Sequence, residues 1–191
     1  MKARLFLAFE LPMEIKILVT RVSEELRQST LDLKWVKVDN IHLTVFFMGH
    51  IKTDDIQPIR DEIQKVCLKQ RSFSIQLNGM GCFPNRRNPR VLWLSIAGDL
   101  ERMSHFRDAL QKYLIPFGVK QERRRFKPHL TLGRFRRSKN IGLPLDEFLM
   151  KYKEMTSPNC LLSELVLFKS DLKPNGAEYT KMEAWPLRGD N

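Results

Sequence analysis

The stretch His42-Leu43-Thr44-Val45 is repeated, with one conservative change, as His129-Leu130-Thr131-Leu132, 87 positions further along the chain. Each copy lies in an apolar run that predicts a β-strand, and successive side chains of a strand point to opposite faces of its sheet. The histidine and the threonine of each copy are therefore expected on one face, and the two aliphatic side chains on the other. We call these stretches motif 1 and motif 2.

The elements predicted before motif 1 recur before motif 2. An apolar strand, Arg4–Leu11, precedes motif 1, and another, Arg90–Ile96, precedes motif 2. These strands begin 86 positions apart, and an internal duplication of about 85–90 residues explains the match with the spacing of the motifs. We therefore predict an α+β fold in which residues 1–191 form one domain of two pseudo-symmetric lobes. Two mostly antiparallel sheets are expected to face a central cleft that holds both motifs, with helices on the outer faces.

Hydrophobic periodicity and turn residues predict the remaining elements. Apolar residues at helical spacing predict helices that end near Gln28, begin near Thr53, follow Asp99 and span Leu145–Tyr152. Further strands are predicted at Trp35–Val38, Ile41–Met48, Phe73–Leu77, Arg125–Leu132, Leu161–Phe168 and Glu178–Trp185. Turns are predicted at Gly79-Met80-Gly81 and at Lys173–Gly176.

The chain is strongly basic, with 33 basic and 22 acidic residues and a net charge of +11. This charge favours an anionic partner, with nucleic acid as the first candidate and an anionic membrane surface as the second. Much of it surrounds motif 2, where Glu122 is the only acidic residue among eight basic ones. Since phosphate contacts come mainly from Arg and Lys, this position favours phosphate binding over a merely solvated face. The eight are Arg123, Arg124, Arg125, Lys127, Arg134, Arg136, Arg137 and Lys139.

Cysteine usage and hydropathy indicate the compartment. Cys67, Cys82 and Cys160 are odd in number and irregularly spaced, so neither a disulfide framework nor a zinc knuckle is indicated. Glu10 and Pro12 interrupt the apolar run at the N-terminus, which argues against a signal peptide. No apolar stretch approaches the ~18 residues needed to span a membrane. We expect a cytoplasmic protein with reduced thiols and no membrane partner.

The paired histidines, His42 and His129, suit acid–base chemistry at phosphorus. An unperturbed imidazole has a pKa near ~6.5, so at neutral pH one histidine can accept a proton while the other donates one. Thr44 and Thr131 can hydrogen-bond the non-bridging phosphate oxygens, and Arg134 can add a charge-assisted contact. Positioned acid–base groups contribute only about 10²–10⁴-fold, so a strained ester such as an RNA 2′,3′-cyclic phosphate fits better than an ordinary phosphodiester.

Other conspicuous residues have simpler interpretations. A metal site is disfavoured, because the chain has only four histidines and neither HExxH nor a paired-carboxylate spacing accompanies the motifs. We therefore expect no metal and no other cofactor. Phe83 is a candidate for stacking on a substrate base as much as for the core, whereas Trp35 and Trp93 are interpreted as core residues. His50 and His105 lack a partner pattern and are interpreted as surface or helix residues.

Four segments resemble the 2H phosphoesterase superfamily, and specifically the RNA 2′,3′-cyclic phosphodiesterase family historically labelled 2′-5′ RNA ligase. They are RLFLAFELP (4–12), IHLTVFFMG (41–49), GCFPNRRNPRVLW (81–93) and FKPHLTLGRF (126–135). Both HxTx motifs are intact and in the family's order, and the likeness spans nearly the whole chain.

This resemblance implies a bilobal α+β fold with both histidines in a central cleft and no metal. It implies hydrolysis of a terminal 2′,3′-cyclic phosphate to a 2′-phosphomonoester. In the family pattern His42 is the proton donor to the leaving 3′-oxygen, and His129 is the acceptor that activates water. RNA ends, with tRNA fragments among the candidates, are then the expected substrate, and the internal duplication favours a monomer.

Two alternative functions stay open. The same acid–base pair serves the reverse reaction, so joining RNA through a 2′-5′ linkage, or cleaving such a linkage, is compatible with both motifs. A non-catalytic RNA-binding module, in which each HxT pair only binds phosphate, predicts salt-dependent binding without turnover.

Overall fold

A computed structural model describes residues 1–136, 142–174 and 176–189. The helices in these residues are α1 (Met13–Arg27), α2 (Ile56–Cys67), α3 (Leu100–Leu114) and α4 (Gly142–Lys151). None of these four helices is long and apolar enough to cross a membrane. The strands are β1 (Lys2–Phe9), β2 (Leu33–Trp35), β3 (Leu43–Lys52), β4 (Phe73–Phe83), β5 (Val91–Gly98), β6 (His129–Phe135), β7 (Cys160–Leu162), β8 (Glu164–Lys173) and β9 (Gly176–Pro186).

The strands form two antiparallel sheets. Sheet 1 has the order β3-β1-β8-β9, and sheet 2 has the order β2-β6-β5-β4-β7. Motif 1 lies at the start of β3, at one edge of sheet 1, and motif 2 forms the start of β6 in sheet 2. The predicted α+β fold with two antiparallel sheets is therefore confirmed.

Each sheet contains strands from both halves of the chain. In sheet 1, β1 pairs with β3 from its own half and with β8 from the second half. In sheet 2, β5 pairs with β6 from its own half and with β4 from the first half. The first half thus contributes β2 and β4 to sheet 2, and the second half contributes β8 and β9 to sheet 1, whereas the prediction gave each half a sheet of its own. The internal duplication itself stays a prediction, although the equivalent pairings of β1 and β5 agree with it.

The two motif strands alternate as predicted between a buried and a half-exposed face. Leu43 and Val45 are buried in motif 1, and Leu130 and Leu132 in motif 2. The histidine and threonine of each motif are only partly buried and lie on the opposite face. Burial of each aliphatic side chain contributes roughly 1.5–3 kcal/mol, so the hydrophobic pattern fixes which face of each strand carries the polar pair.

Helices α1, α2 and α3 bury one apolar stripe each against the sheets. The stripe of α1 includes Ile15, Val19, Val22 and Leu26, at the three- and four-residue spacing of a helix face. The helices thus pack on the faces opposite the motif histidines; on the histidine face of sheet 1, a second and smaller cluster of Phe6, Ala8, Val166 and Phe168 is buried.

The strand predicted at Arg125–Leu132 is wrong in its first half, because β6 begins only at His129. The preceding segment has no regular secondary structure, and its backbone binds α3 instead of a neighbouring strand. Arg107 donates to the Arg124 carbonyl at 3.2 Å, and the Gln111 side chain accepts the Glu122 N–H.

The turn predicted at Gly79-Met80-Gly81 is also wrong, because these residues lie inside β4. The register between β4 and β5 shifts between Leu77 and Met80, and Gly79 has a φ of +79°. A glycine adopts this conformation without steric cost, so the segment forms a β-bulge within a long strand.

The other boundaries differ from the predictions by a few residues. Leu161–Phe168 divides into β7 and the longer β8, and Trp35–Val38 divides into the end of β2 and a 3-10 turn at Val38–Asn40. The predicted hairpin turn at Lys173–Gly176 includes Asn175, which lies outside the described residues, as do Arg137 and Lys139 of the basic cluster.

Candidate active site

His42 directly precedes β3 and is held by the backbone of the turn before it. Its Nδ1 lies 2.8 Å from the carbonyl oxygen of Asn40. A carbonyl only accepts hydrogen bonds, so Nδ1 carries the proton and donates it, which leaves Nε2 directed away from this contact. The Asn40 side chain in turn donates to the Ala177 carbonyl at 3.0 Å, which ties this turn to β9.

An aromatic cluster surrounds the His42 ring. The Phe6 ring is stacked on it at a centroid distance of 4.8 Å, and the Tyr179 ring meets it edge-on at 5.2 Å. Phe168 lies 6.1 Å away. Burial among these rings lowers the pKa of His42 from 6.5 to about 4; the bond to Asn40 opposes this shift, and the charge of His129 adds to it.

His129, the first residue of β6, is held in the same way. Its Nδ1 lies 2.7 Å from the carbonyl oxygen of Lys127, two residues earlier, as Asn40 is two residues before His42. Both imidazoles therefore have the same tautomer when neutral, with the proton on Nδ1 and a lone pair on Nε2.

The surroundings of His129 are aromatic on one side and basic on the other. Phe83 meets the ring edge-on at 5.0 Å, and Trp93 lies 6.1 Å away. Burial lowers the pKa of His129; the bond to the Lys127 carbonyl opposes this, and the positive charge of Arg134 lowers the pKa further.

Both threonines lie beside their histidines on the half-exposed faces. Thr44 is paired with Ala8 of β1, and Thr131 with Trp93 of β5. Neither hydroxyl forms a hydrogen bond with another group of the described residues, so both are free to bind an oxygen of a ligand.

A β-bulge follows the threonine in motif 1. The adjacent residues Leu7 and Ala8 of β1 pair with Phe46 and Thr44, which leaves Val45 as an extra residue in β3. An extra residue reverses the side-chain alternation beyond it, because faces alternate with a period of two.

Motif 2 has a bulge at the equivalent position. Leu92 and Trp93 of β5 pair with Gly133 and Thr131, which leaves Leu132 as the extra residue in β6. The fourth residue of each HxTx motif is therefore the bulged one, a symmetry that the sequence spacing alone does not reveal.

The bulges bring one more side chain to each histidine's face. In a regular strand Arg134 would share a face with Leu130 and point into the core, but beyond the bulge it lies on the face of His129. The equivalent residue after motif 1 is Phe47, whose side chain is 58% exposed and whose ring lies 5.5 Å from that of Phe6.

The structure brings the predicted site residues together. Strands β3 and β6 contact each other, and the charge of His129 reaches far enough to lower the pKa of His42. Thr44, Thr131 and Arg134 lie on the same faces as these histidines.

Comparison with known proteins shows the family to which the chain belongs. The profile of the 2′-5′ RNA ligase superfamily matches residues 16–174 of the chain. The chain belongs to this superfamily. The predicted resemblance is thus confirmed, and the matched region includes both motifs.

Two similar proteins align with nearly the whole chain. The RNA 2′,3′-cyclic phosphodiesterase of Methanothermobacter thermautotrophicus is 30% identical over 187 residues, which cover 98% of this chain and all of the relative. The RNA 2′,3′-cyclic phosphodiesterase of Methanocaldococcus jannaschii is 31% identical over 182 residues, or 95% of this chain and 99% of the relative.

Solved structures of similar proteins share the fold. TT0787 of Thermus thermophilus superposes with a TM-score of 0.82 at 23% identity and covers 98% of this chain and all of its own. LigT of E. coli, solved with 3′-AMP, superposes with a TM-score of 0.77 at 24% identity, over 98% of this chain and 99% of its own.

Sequence reasoning did not find several residues around the histidines of this superfamily member. Trp93, interpreted as a core residue, is only half-buried and lies near Phe83 and His129, so that interpretation is wrong. Trp35, in contrast, packs against the core as expected. The sequence patterns did not identify Phe6, Phe168 or Tyr179 as neighbours of His42. Phe6 lies two residues before Ala8 in β1 and therefore on the same face, and Ala8 pairs with Thr44 of motif 1.

No ligand set for a metal is found at the histidines. Groups of three or more His, Cys, Asp or Glu side chains that could hold a metal ion are absent from the part of the chain that the structure describes. A cavity of about 540 Å³ lies elsewhere, between α2 and α3, and contains neither motif histidine. Its lining includes Val66, Phe106, Ala109 and Tyr113, and it carries none of the predicted site residues.

Gly81→Ala is expected to disturb the His129 side of the site. A Cβ at Gly81 would overlap the indole ring of Trp93 and would displace that ring from Phe83 and His129. Overpacking of this kind costs about 1–3 kcal/mol of the free energy of unfolding. Thermal unfolding and tryptophan fluorescence measure the two effects. Gly142→Ala, where a Cβ meets no atom within 4 Å, is the control, and equal behaviour of both variants would contradict this packing.

Proposed function

We propose that this chain hydrolyses RNA 2′,3′-cyclic phosphate ends to 2′-phosphomonoesters, with His42 and His129 as the acid–base pair and without a metal. The observation that carries the proposal is the pair of imidazoles on adjoining motif strands, each with Nδ1 bonded to a carbonyl and Nε2 available. The relatives named RNA 2′,3′-cyclic phosphodiesterase, which align along nearly the full chain, support the choice of substrate.

The proposed reaction is an in-line displacement at phosphorus. Nε2 of His129 accepts a proton from water as the water oxygen attacks the phosphorus. The bond between phosphorus and the 3′-oxygen breaks, and Nε2 of His42 donates a proton to that oxygen. The products are a 2′-phosphate and a 3′-hydroxyl, and each histidine ends with the other's initial charge.

The pKa values affect the two roles differently. Burial lowers the pKa of His129, which keeps it neutral at neutral pH and suits a proton acceptor. Burial also lowers the pKa of His42 to about 4, which opposes the donor role in the free protein. A bound phosphate carries a negative charge beside the ring and raises this pKa, because an opposite charge favours the protonated form. Substrate binding therefore favours the protonated form of His42, which is the form that the donor role needs.

The neighbouring side chains are proposed to hold the substrate. The hydroxyls of Thr44 and Thr131 donate to the non-bridging phosphate oxygens, whose negative charge grows in the transition state. Arg134, which the bulge at Leu132 places on the face of His129, adds a charge-assisted contact to the phosphate. Phe83 stacks on a base at the His129 side, and exposed Phe47 offers an aromatic face at the His42 side.

The domain organisation, the oligomeric state and the substrates of the chain are part of this proposal. Residues 1–191 act as a single domain of two lobes, as a monomer and with no cofactor. The substrates are RNA ends, among which tRNA fragments are candidates.

The test is an RNA oligomer that ends in a 2′,3′-cyclic phosphate, incubated with the protein in EDTA. Phosphorus NMR is expected to detect a 2′-phosphate product at an undiminished rate. A 3′-phosphate would contradict the leaving group, and loss of activity in EDTA would contradict metal independence.

A second arm of this experiment addresses the alternative suggested by the superfamily's description. An RNA with a 5′-hydroxyl is added, and 2′-5′-linked product is measured against hydrolysis. Ligation that exceeds hydrolysis would favour a ligase, and RNA binding without either product would favour a non-catalytic binding module.

A further inference from the structure

The segment before motif 2, residues Gln121–Pro128, is a basic loop with a fixed backbone. We call it the basic strap. Two buried side chains of α3 hold it: Arg107, 7% exposed, donates to the Arg124 carbonyl, and Gln111, 4% exposed, accepts the Glu122 N–H. The Arg107 guanidinium also lies 5.3 Å from the Phe126 ring centroid. Arg107 also pairs with Asp108 at 2.8 Å, and a buried Arg and a buried Gln that both bind this loop indicate that its conformation is specified by the fold.

The charged side chains of this strap point to solvent. Arg123, Arg125 and Lys127 are exposed and form no ion pair among the residues that the structure describes, whereas Arg124 pairs with Glu122. Glu122 therefore neutralises one of the four basic residues and leaves three. Exposed positive charges without acidic partners are available to anions.

The strap adjoins the catalytic face. His129 follows it directly, and the Lys127 ammonium lies 6.0 Å from the Phe83 ring, which itself contacts His129. Phe83 is the last residue of β4, and the loop that follows it and leads to β5 carries exposed Arg87 and Arg90. The strap, this loop and Arg134 thus place several basic side chains on the sheet 2 side of the site.

The sheet 1 side has no comparable run of successive basic residues, although Arg4 and Lys37 also lack a carboxylate partner among the described residues. Its lysines on β8 and β9 are matched by carboxylates: Lys169 pairs with Asp171 at 3.0 Å, and Lys181 with Glu10 at 2.9 Å. A polyanion that reaches the histidines is therefore attracted from the sheet 2 side.

We propose that the basic strap binds the backbone phosphates of the RNA that precedes the cyclic end, so that the preferred substrate is an RNA oligomer and not a mono- or dinucleotide. This inference rests on the proposed function. The terminal phosphate occupies the histidine site, and the strand leaves along the strap. Such contacts carry no sequence preference, because they involve phosphate and not base edges.

The test compares two substrates with the same cyclic end, a dinucleotide and a longer single-stranded RNA, for the wild type and for the Arg123→Ala/Arg125→Ala variant. The ratio of kcat/KM for the long substrate to that for the dinucleotide is expected to fall about tenfold at about 50 mM salt. The slope of log kcat/KM for the long substrate against log salt is expected to become shallower by about 1.4, since each lost single-strand phosphate contact removes about 0.7.

The matched control removes the same charge elsewhere. Lys69→Ala/Lys112→Ala takes two exposed positive charges from the outer helix layer and is expected to leave the ratio unchanged. Arg123→Lys/Arg125→Lys, which keeps the charge, is expected to restore most of the ratio. Thermal unfolding checks that all variants are folded.

Three results would overturn the proposal. A ratio that falls equally in the strap variant and in the control would leave only a general charge effect. An unchanged ratio, together with loss of binding to phosphatidylserine vesicles, would assign the strap to a membrane surface. In both cases turnover of the cyclic phosphates would leave the proposed function standing. Absence of turnover by the wild type on either substrate would mean that the proposed function had failed, and this inference with it.

Discussion

Replacing either motif histidine with alanine is expected to lower kcat on an RNA 2′,3′-cyclic phosphate by about 10²–10⁴-fold, the contribution typical of a positioned acid or base. His42→Ala removes the donor to the 3′-oxygen, and His129→Ala removes the acceptor for the water proton. Because both act in one displacement, the double variant is expected to lose much less than the product of the two single losses. Single-turnover rates at saturating RNA measure these effects.

The controls separate chemistry from folding and from binding. His50→Ala and His105→Ala replace exposed histidines away from the motifs and are expected to keep the wild-type rate. His42→Gln and His129→Gln fill the space of the imidazole without its acid–base function and are expected to be as impaired as the alanine variants. RNA affinity should be largely retained in all of them. A motif variant with a near wild-type rate would contradict the two-histidine mechanism.

The free energy of unfolding is expected to fall by about 3 kcal/mol between pH 6.5 and pH 4 because of His42 alone. The pKa of this histidine is taken as 6.5 in the unfolded chain, the ordinary value of an imidazole, and it is about 4 in the folded protein. Between these values the unfolded chain binds a proton that the folded chain does not, so acidification favours unfolding. Below about pH 4 both states are protonated and the contribution becomes constant.

Denaturant unfolding of the wild type and of His42→Gln at a series of pH values measures the contribution of His42 to the pH dependence of the free energy of unfolding. The two curves are expected to have different slopes between pH 6.5 and pH 4, the wild type losing more stability. His129, whose pKa burial also lowers, adds a loss of the same sign in both proteins. Parallel curves would contradict the burial of His42 among Phe6, Phe168 and Tyr179.

The alternation of the motif strands could be predicted because it follows from local chemistry. Leu43 and Leu130 must be buried, and the period of two then places His42 and His129 on the open faces. The family resemblance rests on the same local pattern, since each HxTx is written in consecutive residues.

The orientation of Arg134 could not be derived in this way. Strict alternation places it on the core face with Leu130, and only the bulge at Leu132 turns it to the histidine face. A bulge depends on the register with the neighbouring strand, which the sequence of β6 does not contain. The same holds for Val45 and Phe47 in motif 1.

The exchange of strands between the halves, β2 and β4 into sheet 2 and β8 and β9 into sheet 1, also depends on long-range pairing. Local periodicity identifies these strands but not their partners. The aromatic cluster at His42 follows from this exchange, because β8 and β9 bring Phe168 and Tyr179 beside a histidine of the first half. The strong shift of the His42 pKa was therefore beyond sequence reasoning.

The roles of the two histidines are tested most directly with a cyclic phosphate in which sulfur replaces the bridging 3′-oxygen. A thiolate leaves without a proton, so the donor becomes dispensable while the acceptor does not. His42→Ala is expected to cleave the sulfur substrate at nearly the wild-type rate, and His129→Ala is expected to stay impaired on both substrates. Equal impairment of His42→Ala on the oxygen and sulfur substrates, or rescue of His129→Ala by sulfur, would contradict the proposed mechanism.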